Sequence, residues 1–276
     1  MLSSKRLLIT GLVTTDSIAF AVAERAQLSG ATVLLSALGR DLELAEAAAA
    51  KLPRPAELLE LDVTRREELD RARDRIADLT GGLDGALHAV AFAPRDALGG
   101  DFLDARPEGV ELAFRTSAWS LAGLAGILRD LAPADGGALV GLDFDADGGA
   151  WPVYNWMGVC KAALQSTARY LARDLGPRGI RVNLVAAGPL HTRAAGGIPG
   201  FEHLLTAWER QAPLGWDPRD AGPSADAVCF LLSDWSRAVT GEILHADGGF
   251  HAMASPPARE TTSEDDRGYE PRAYAT

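Results

Sequence analysis

The chain has 276 residues, an apolar fraction of 47% and a net charge of −11 at pH 7. That length and composition predict a sizeable core and exclude a wholly disordered protein. No run of Lys or Arg forms a basic stripe, which argues against nucleic-acid binding because phosphate affinity needs clustered cations.

The cysteines, histidines and apolar runs narrow the class further. Cys160 and Cys229 are too few for a disulfide framework, and no charged-then-apolar leader opens the chain, which predicts the reducing cytoplasm. No apolar stretch approaches the roughly 20 residues of a membrane span. The five histidines show no metal-ligand spacing. We therefore expect a cytoplasmic protein without a membrane span or a metal site.

Short apolar runs alternate with amphipathic stretches from the first residues onward. The apolar runs predict strands at Leu7–Ile9, Thr32–Leu35, Leu58–Leu61, Ala86–Val90, Ala138–Leu142, Val182–Val185 and Ile243–His245. The stretches between them predict helices over Ser17–Leu28, Leu42–Leu52, Arg66–Leu79, Glu108–Leu131 and Asn155–Leu175. Strands that are apolar throughout are typical of a parallel sheet covered on both faces. The pattern predicts an α/β fold with one doubly wound, seven-stranded sheet.

The chain shows no linker and no internal repeat within residues 1–250. From Ser255 to Thr276 it is polar, contains Pro and lacks apolar periodicity, which is typical of a flexible tail. We therefore expect a single domain over residues 1–254 and a tail over residues 255–276.

Two loops that follow early strands can contact a dinucleotide. Gly11 follows the first strand and precedes a helix, so its backbone can approach a diphosphate at the helix N-terminus, although a lone glycine there is often a plain turn. Asp62, after the third strand, can accept the amino group of adenine or cap the following helix, with equal weight for both interpretations. After the second strand only Arg40 can meet a 2′-phosphate, which favours NADH over NADPH.

Tyr154 and Lys161 carry the candidate chemistry. Seven residues turn an α-helix through about 700°, which leaves the two side chains about 20° apart on one face. A tyrosine hydroxyl can donate a hydrogen bond to a developing oxyanion, and a nearby ammonium can support that role and hold a ribose hydroxyl. Taken alone, a Tyr and a Lys two turns apart are usually structural.

The Tyr-x6-Lys spacing resembles the enoyl-acyl-carrier-protein reductases of type II fatty-acid synthesis, a branch of the short-chain dehydrogenase/reductase superfamily. Ordinary short-chain dehydrogenases carry Tyr-x3-Lys instead. The local sequence motifs are most similar to those of the actinobacterial branch that acts on long acyl chains. The resemblance spans about residues 4–250 and includes Gly11–Ala19, Leu58–Val63, Leu83–Gly85, Tyr154–Met157, Asn183–Pro189, Leu231–Trp235 and Ala246–Gly249.

This resemblance implies a Rossmann-type fold and the NADH-dependent reduction of trans-2-enoyl thioesters carried by acyl-carrier protein or CoA. Hydride would reach C3 of the thioester, with Tyr154 hydrogen-bonded to the thioester oxygen and Lys161 to the nicotinamide ribose. Phe144 stands where the family keeps an aromatic residue beside the nicotinamide and the substrate. The residues that the resemblance places against NADH are Gly11, Ser17, Ile18, Leu38, Asp62, Val63, Ala89, Ala91, Lys161 and Thr192.

The chain departs from the family at four places. Family members commonly show Ser-x-Gly-Phe after the fourth strand, whereas this chain has Ala89 and Ala91 at the Ser and Gly positions. The missing hydroxyl and the added methyl, together with Leu38 in place of an aromatic residue, predict weaker NADH affinity. Gly158 stands where a Thr is frequent. The segment between Thr192 and Trp216 is several residues shorter, which predicts a shorter acyl tunnel, a more open one, or a different substrate from a polyketide or other secondary pathway.

The predicted partners and the alternative functions follow from the same comparison. Carrier proteins are acidic, so docking to this acidic chain needs a basic patch. Relatives are usually tetramers, and the strand around Ile243 fits an interface. A carbonyl-reducing dehydrogenase is disfavoured because Phe144 replaces its serine, and a catalytically weak dinucleotide-binding regulator remains open. The candidates for the basic patch are Arg193, Arg210 and Arg219.

Overall fold

The structure is a computed structural model that describes residues 1–144 and 149–255. Asp145 and the predicted tail beyond Ser255 lie outside the described residues. The described residues contain seven strands, which are β1 Arg6–Thr10, β2 Thr32–Ala37, β3 Glu57–Glu60, β4 Gly85–His88, β5 Gly137–Asp143, β6 Ile180–Ala187 and β7 Ile243–Ala246.

The strands form one sheet in the order β3-β2-β1-β4-β5-β6-β7, and all neighbours pair in parallel. The predicted seven-stranded, doubly wound parallel sheet is therefore confirmed. The strand order reverses between β1 and β4: β2 and β3 lie on one side of β1, and β4 to β7 follow one another on its other side. In doubly wound sheets ligands bind beyond the carboxyl ends of the strands at such a reversal, so this edge positions the site.

The strands are apolar throughout because both faces of the sheet are covered. Along β1, Leu7 and Ile9 point to one face and pack with side chains from the helices over residues 18–28 and 222–232. Leu8 points to the other face and packs with side chains from the helices over residues 66–80, 120–131 and 155–175. The described helices are α1 Ile18–Leu28, α2 Leu42–Ala49, α3 Arg66–Thr80, α4 Pro107–Phe114, α5 Ser120–Leu131, α6 Asn155–Leu175, α7 Glu202–Gln211 and α8 Gly222–Leu232. No helix among them is both long and apolar enough to cross a membrane.

Three features of the helices differ from the sequence prediction, and one of them is α7, where no helix was predicted. The helix expected over Glu108–Leu131 is α4 and α5 joined by the π-helical turn Arg115–Trp119. The sequence did not predict α8, because this helix is apolar on most sides and lacks the periodicity of a surface helix. The apolar sides of α8 pack against α1 and the sheet.

Candidate active site

Gly11 leaves the carboxyl end of β1 with φ +74°, in the left-handed region that favours glycine. A Cβ at Gly11 would collide with the carbonyl oxygen of Ala89, which follows β4. Thr10 links the same strand ends, because its hydroxyl donates to the Leu87 carbonyl oxygen at 2.8 Å and accepts the Ala89 amide at 3.2 Å. Gly11 and Ala89 thus meet at the strand-order reversal, where doubly wound folds bind their ligands, and the contact of Gly11 with a diphosphate stays a prediction.

Ser17 and Ile18 open the helix that follows Gly11. The Ser17 hydroxyl accepts the Phe20 amide at 3.1 Å and donates to the Thr14 carbonyl oxygen at 2.7 Å, so it serves as the N-cap of α1. Ile18 is half-buried and packs against the core. Because the hydroxyl is used by the cap, the groups left to meet an anion here are the amides of the first helical turn.

Asp62 closes a local turn and does not cap the following helix, whose N-cap is Arg65 without a side-chain hydrogen bond. One carboxylate oxygen accepts both the amide of Thr64 at 2.9 Å and its hydroxyl at 2.6 Å, while the Asp62 amide donates to Glu68 at 2.7 Å. The neighbouring Val63 is buried, and Leu38 is half-buried at the end of β2. The contact of these residues with an adenine stays a prediction.

Charged side chains meet around the loop that follows β2. The guanidinium of Arg40 lies 3.6 Å from the Asp41 carboxylate and 5.8 Å from the centre of the Phe92 ring. Arg193 reaches Asp41 from the loop after β6, at 3.5 Å. One carboxylate is thus shared by two guanidinium groups, so it neutralises only one of their two positive charges.

Thr192 follows β6 and serves a local turn. Its hydroxyl accepts the Ala195 amide at 3.2 Å, and its own amide donates to the Leu190 carbonyl oxygen at 2.8 Å. Ala91, which follows β4, is exposed. The role of both residues in NADH binding stays a prediction.

Tyr154 occupies the N-cap position of α6 instead of a regular helical turn. Its neighbours Val153 and Asn155 have φ angles of +62° and +39°, which non-glycine residues rarely adopt. The Asn155 amide group donates to the Gly99 carbonyl oxygen at 2.9 Å and so helps to hold this turn. Because α6 begins at Asn155, Tyr154 lies just outside the regular helix. The angle of about 20° between the Tyr154 and Lys161 side chains, which assumes a regular helix, therefore does not apply directly. Strained backbone of this kind is common at functional sites.

The Tyr154 side chain is largely buried beside Phe144, and the centres of the two rings lie 4.9 Å apart. Burial, together with the charge of Asp143, raises the pKa of Tyr154 well above its ordinary value. Tyr154 therefore remains protonated at neutral pH. It can act as a hydrogen-bond donor to an oxyanion, as predicted for this residue.

Lys161 is also buried and faces the same acidic group. Its ammonium donates to the Leu142 carbonyl oxygen at 2.7 Å. Burial lowers the pKa of Lys161, while the charge of Asp143 opposes this shift and favours the ammonium. Asp143 is held by the side-chain amide of Gln165 at 2.9 Å. Sequence reasoning gave no role to Asp143 or Gln165, although Gln165 lies one helical turn after Lys161 on the same face.

His88, which ends β4, is a second buried group that sequence reasoning missed. The Ser120 hydroxyl donates to the Thr116 carbonyl oxygen at 2.6 Å, so it accepts the Nε2–H of His88 at 2.7 Å. Nδ1 is then an acceptor without a hydrogen-bond partner in residues 1–144 and 149–255. Burial and the charge of Lys161 lower the pKa of His88 to about 3, so the imidazole is neutral at physiological pH.

Three large rings lie beyond Phe144, at the carboxyl ends of β5 to β7. Trp151, Trp208 and Phe250 form what we call the aromatic wall: Trp208 stacks on Phe250 at 3.8 Å, and Trp151 lies 5.3 Å and 5.5 Å from these two ring centres. Phe144 contacts the wall, with its ring centre 5.5 Å from that of Trp208. No local sequence pattern predicts this cluster, because its members are far apart along the chain.

The family described as Enoyl-(Acyl carrier protein) reductase matches residues 11–251, which include all the side chains above. The chain belongs to this enoyl reductase family. The predicted resemblance is thus confirmed. The chain is 44% identical over 264 residues to a protein of Mycolicibacterium smegmatis named enoyl-[acyl-carrier-protein] reductase [NADH], with 90% of this chain and 97% of the relative covered.

Other members of the enoyl reductase family are more distant and differ in the cofactor that they are named for. An NADH enzyme of Aquifex aeolicus is 36% identical, with 92% of this chain and 93% of the relative covered. An NADPH enzyme of Staphylococcus aureus is 38% identical, with 91% and 98% covered. Both coenzymes therefore occur within the family, and the choice between them depends on local residues.

Proposed function

We propose that this chain catalyses the NADH-dependent reduction of trans-2-enoyl thioesters, carried by acyl-carrier protein or CoA, to saturated acyl thioesters in type II fatty-acid synthesis. Family membership supports the reaction class. The observation that carries it to this chain is the buried, protonated Tyr154 packed against Phe144. A hydroxyl that stays protonated at neutral pH can donate a hydrogen bond to an enolate oxygen.

Each side chain of the site then has a role. Gly11 and the first turn of α1 hold the diphosphate, and NADH supplies the hydride when bound. Lys161 holds the nicotinamide ribose hydroxyls, with Asp143 keeping it charged. Tyr154 donates to the thioester oxygen, and Phe144 keeps water away from it.

NADH is favoured over NADPH by the family comparison, since the relatives from Mycolicibacterium smegmatis and Aquifex aeolicus are named for NADH. Arg40 and Arg193 both lie within 3.6 Å of the Asp41 carboxylate. This carboxylate would compete with a 2′-phosphate for the arginines but neutralises only one of their two charges, so the local charges alone do not set the preference.

NADH oxidation with crotonyl-, octenoyl- and dodecenoyl-CoA tests the proposal, alongside a ketone panel and parallel NADPH reactions. We expect turnover of at least one thioester, a preference for NADH and no ketone reduction. Ketone reduction without enoyl reduction would instead establish the carbonyl-reducing alternative. NADH binding without either activity would point to a regulator.

The assembly and the partner belong to the same proposal: a cytoplasmic homotetramer that docks acyl-carrier protein. Large apolar side chains are exposed on α4, the π-helical turn and α6, which supports an interface there in addition to the β7 edge. Light scattering tests it: the native chain is expected as a tetramer and Phe114→Asp as a smaller species. The exposed apolar residues are Leu112, Phe114, Trp119, Val159 and Tyr170.

A further inference from the structure

The aromatic wall of Trp151, Trp208 and Phe250 lies next to Phe144, the residue that packs on Tyr154. Phe144 touches the Tyr154 ring on one side and Trp208 and Trp151 on the other, with centre-to-centre distances of 4.9, 5.5 and 5.7 Å. The wall is therefore only one ring away from the hydroxyl that would meet the thioester oxygen. An acyl chain that extends from Tyr154 toward α7 reaches it at once.

Trp208 is fixed in place from two directions. Its side chain is 1% exposed and its indole N–H donates to the Asp247 carbonyl oxygen at 3.1 Å. Behind it, even a Cβ on Gly188 would lie 2.8 Å from the indole nitrogen, so there is no space into which the ring can retreat.

Phe250 is held by the turn that follows β7. The buried Asp247 carboxylate accepts the amides of Gly249 and His251, each at 2.9 Å, on either side of Phe250. The ring then lies flat on Trp208, with an angle of 8° between their planes. Stacked rings on a hydrogen-bonded turn make a firm boundary for an apolar chain.

The shortened segment after β6 is what brings these rings together. It reaches α7 after only a short 3₁₀ turn, Ala195–Gly197, and α7 turns Leu204 and Trp208 into the site, where both are buried. The sequence left open whether the shorter segment gives a shorter tunnel or a more open one. The packing of Leu204 and Trp208 against Phe144 and Tyr154 favours the shorter tunnel.

From this packing we infer that Trp151 and Phe250, backed by Trp208, are specificity-determining residues that restrict the enzyme to short and medium enoyl chains. The inference rests on the proposed function and deepens it. An apolar pocket discriminates by the space that it offers each added methylene, so a ring that ends the pocket sets the longest accepted chain.

Chain-length profiles of the full enzyme test the inference. The native enzyme is expected to show a kcat/KM for dodecenoyl-CoA at least about tenfold below that for crotonyl- or octenoyl-CoA. Phe250→Ala and Trp151→Ala remove rings at the wall, and each is expected to raise the ratio of the dodecenoyl to the crotonyl kcat/KM. Trp235→Ala, at an exposed position outside the cluster, is the matched control and leaves the profile unchanged. Trp151→Phe and Phe250→Leu serve where the alanine variants do not fold.

A native enzyme that reduces dodecenoyl-CoA as well as crotonyl-CoA would overturn the inference, as would variants with an unshifted profile. Calorimetry with the saturated butanoyl and dodecanoyl thioesters separates this failure from that of the proposed function. Weaker dodecanoyl binding that Phe250→Ala relieves supports the wall even if no thioester is reduced. Equal binding of both thioesters by the native chain refutes it.

Discussion

The two halves of the catalytic edge are built from different materials. At the carboxyl ends of β1, β2 and β4 the site consists of glycine, alanine and backbone amides, with Gly11 packed against the Ala89 carbonyl. At the ends of β5 to β7 it consists of large buried rings around Phe144 and Trp208. Backbone groups suit a ligand that every relative shares, whereas side-chain packing adapts one member of the family to its own substrate.

The halves also differ in their electrostatics. In the cofactor half, the Ser17 hydroxyl caps a helix and the Asp62 carboxylate closes a turn, so both side chains are engaged in local hydrogen bonds. In the deeper half burial shifts the pKa values of Tyr154 and Lys161, and it does the same to His88 below them. Binding is thus assigned to the first half and proton control to the second, a division that four changes can test.

Removing the Tyr154 hydroxyl is expected to give the largest effect. Tyr154→Phe keeps the ring against Phe144 but loses the oxyanion donor, which typically slows kcat by about 10²–10³-fold, or about 2.7–4 kcal/mol. The dissociation constant for NADH is expected to stay unchanged, because the hydroxyl belongs to the other half. Steady-state kinetics and fluorescence titration measure the two quantities. Full activity in the variant would remove Tyr154 from the mechanism.

Gly11→Ala is the reciprocal change in the cofactor half. An L-residue at φ +74° costs about 1–2 kcal/mol, and the collision with the Ala89 carbonyl adds to this cost. We expect a lower free energy of unfolding in urea and loss of NADH binding. Gly126→Ala, in α5 with nothing within 4 Å of the added Cβ, is the control and is expected to gain about 0.5–1 kcal/mol. Similar behaviour of the two variants would contradict the role given to Gly11.

His88 gives the deep half a pH signature. Its pKa is about 3 in the folded chain against 6.5 ordinarily, so between these values the unfolded chain binds a proton that the folded chain refuses. The free energy of unfolding therefore falls as pH drops from 6.5 toward 3, by about 1.4 kcal/mol per unit from this group.

Urea titrations across that range, with native chain and His88→Gln side by side, measure the effect. The variant should lose this part of the slope, while His203→Gln, at an exposed position, should keep it. An identical slope in native chain and His88→Gln would mean that His88 is not the group responsible.

Ala89→Ser is expected to give the smallest change. It restores a hydroxyl where the family commonly has one, and a single added hydrogen bond contributes about 0.5–1.5 kcal/mol. NADH affinity should rise accordingly, with kcat little changed. Calorimetry checks this, with Ala162→Ser on the exposed face of α6 as the matched control. Equal affinity in all three proteins would show that the serine is not a cofactor contact here.

Much of the fold was predictable because strand and helix periodicities are local. The seven apolar runs named every strand to within two residues at each end, and Asn155–Leu175 was predicted with its observed bounds. Helix α8 and the π-helical turn were not, since one is apolar on most sides and the other depends on packing against neighbours. Periodicity carries no information about either.

The sequence alone determined the strands of the parallel sheet and Gly11 at the end of β1, because each depends on residues close together in the chain, while the joint role of Tyr154 and Lys161 stays a prediction. Only the tertiary structure decided which distant groups meet: Gln165 on Asp143, Ser120 on His88, and Trp208 on Phe250. It also decided the protonation of the buried groups. Desolvation and cross-strand contact exist only once the strands are ordered side by side, so no local pattern can encode them.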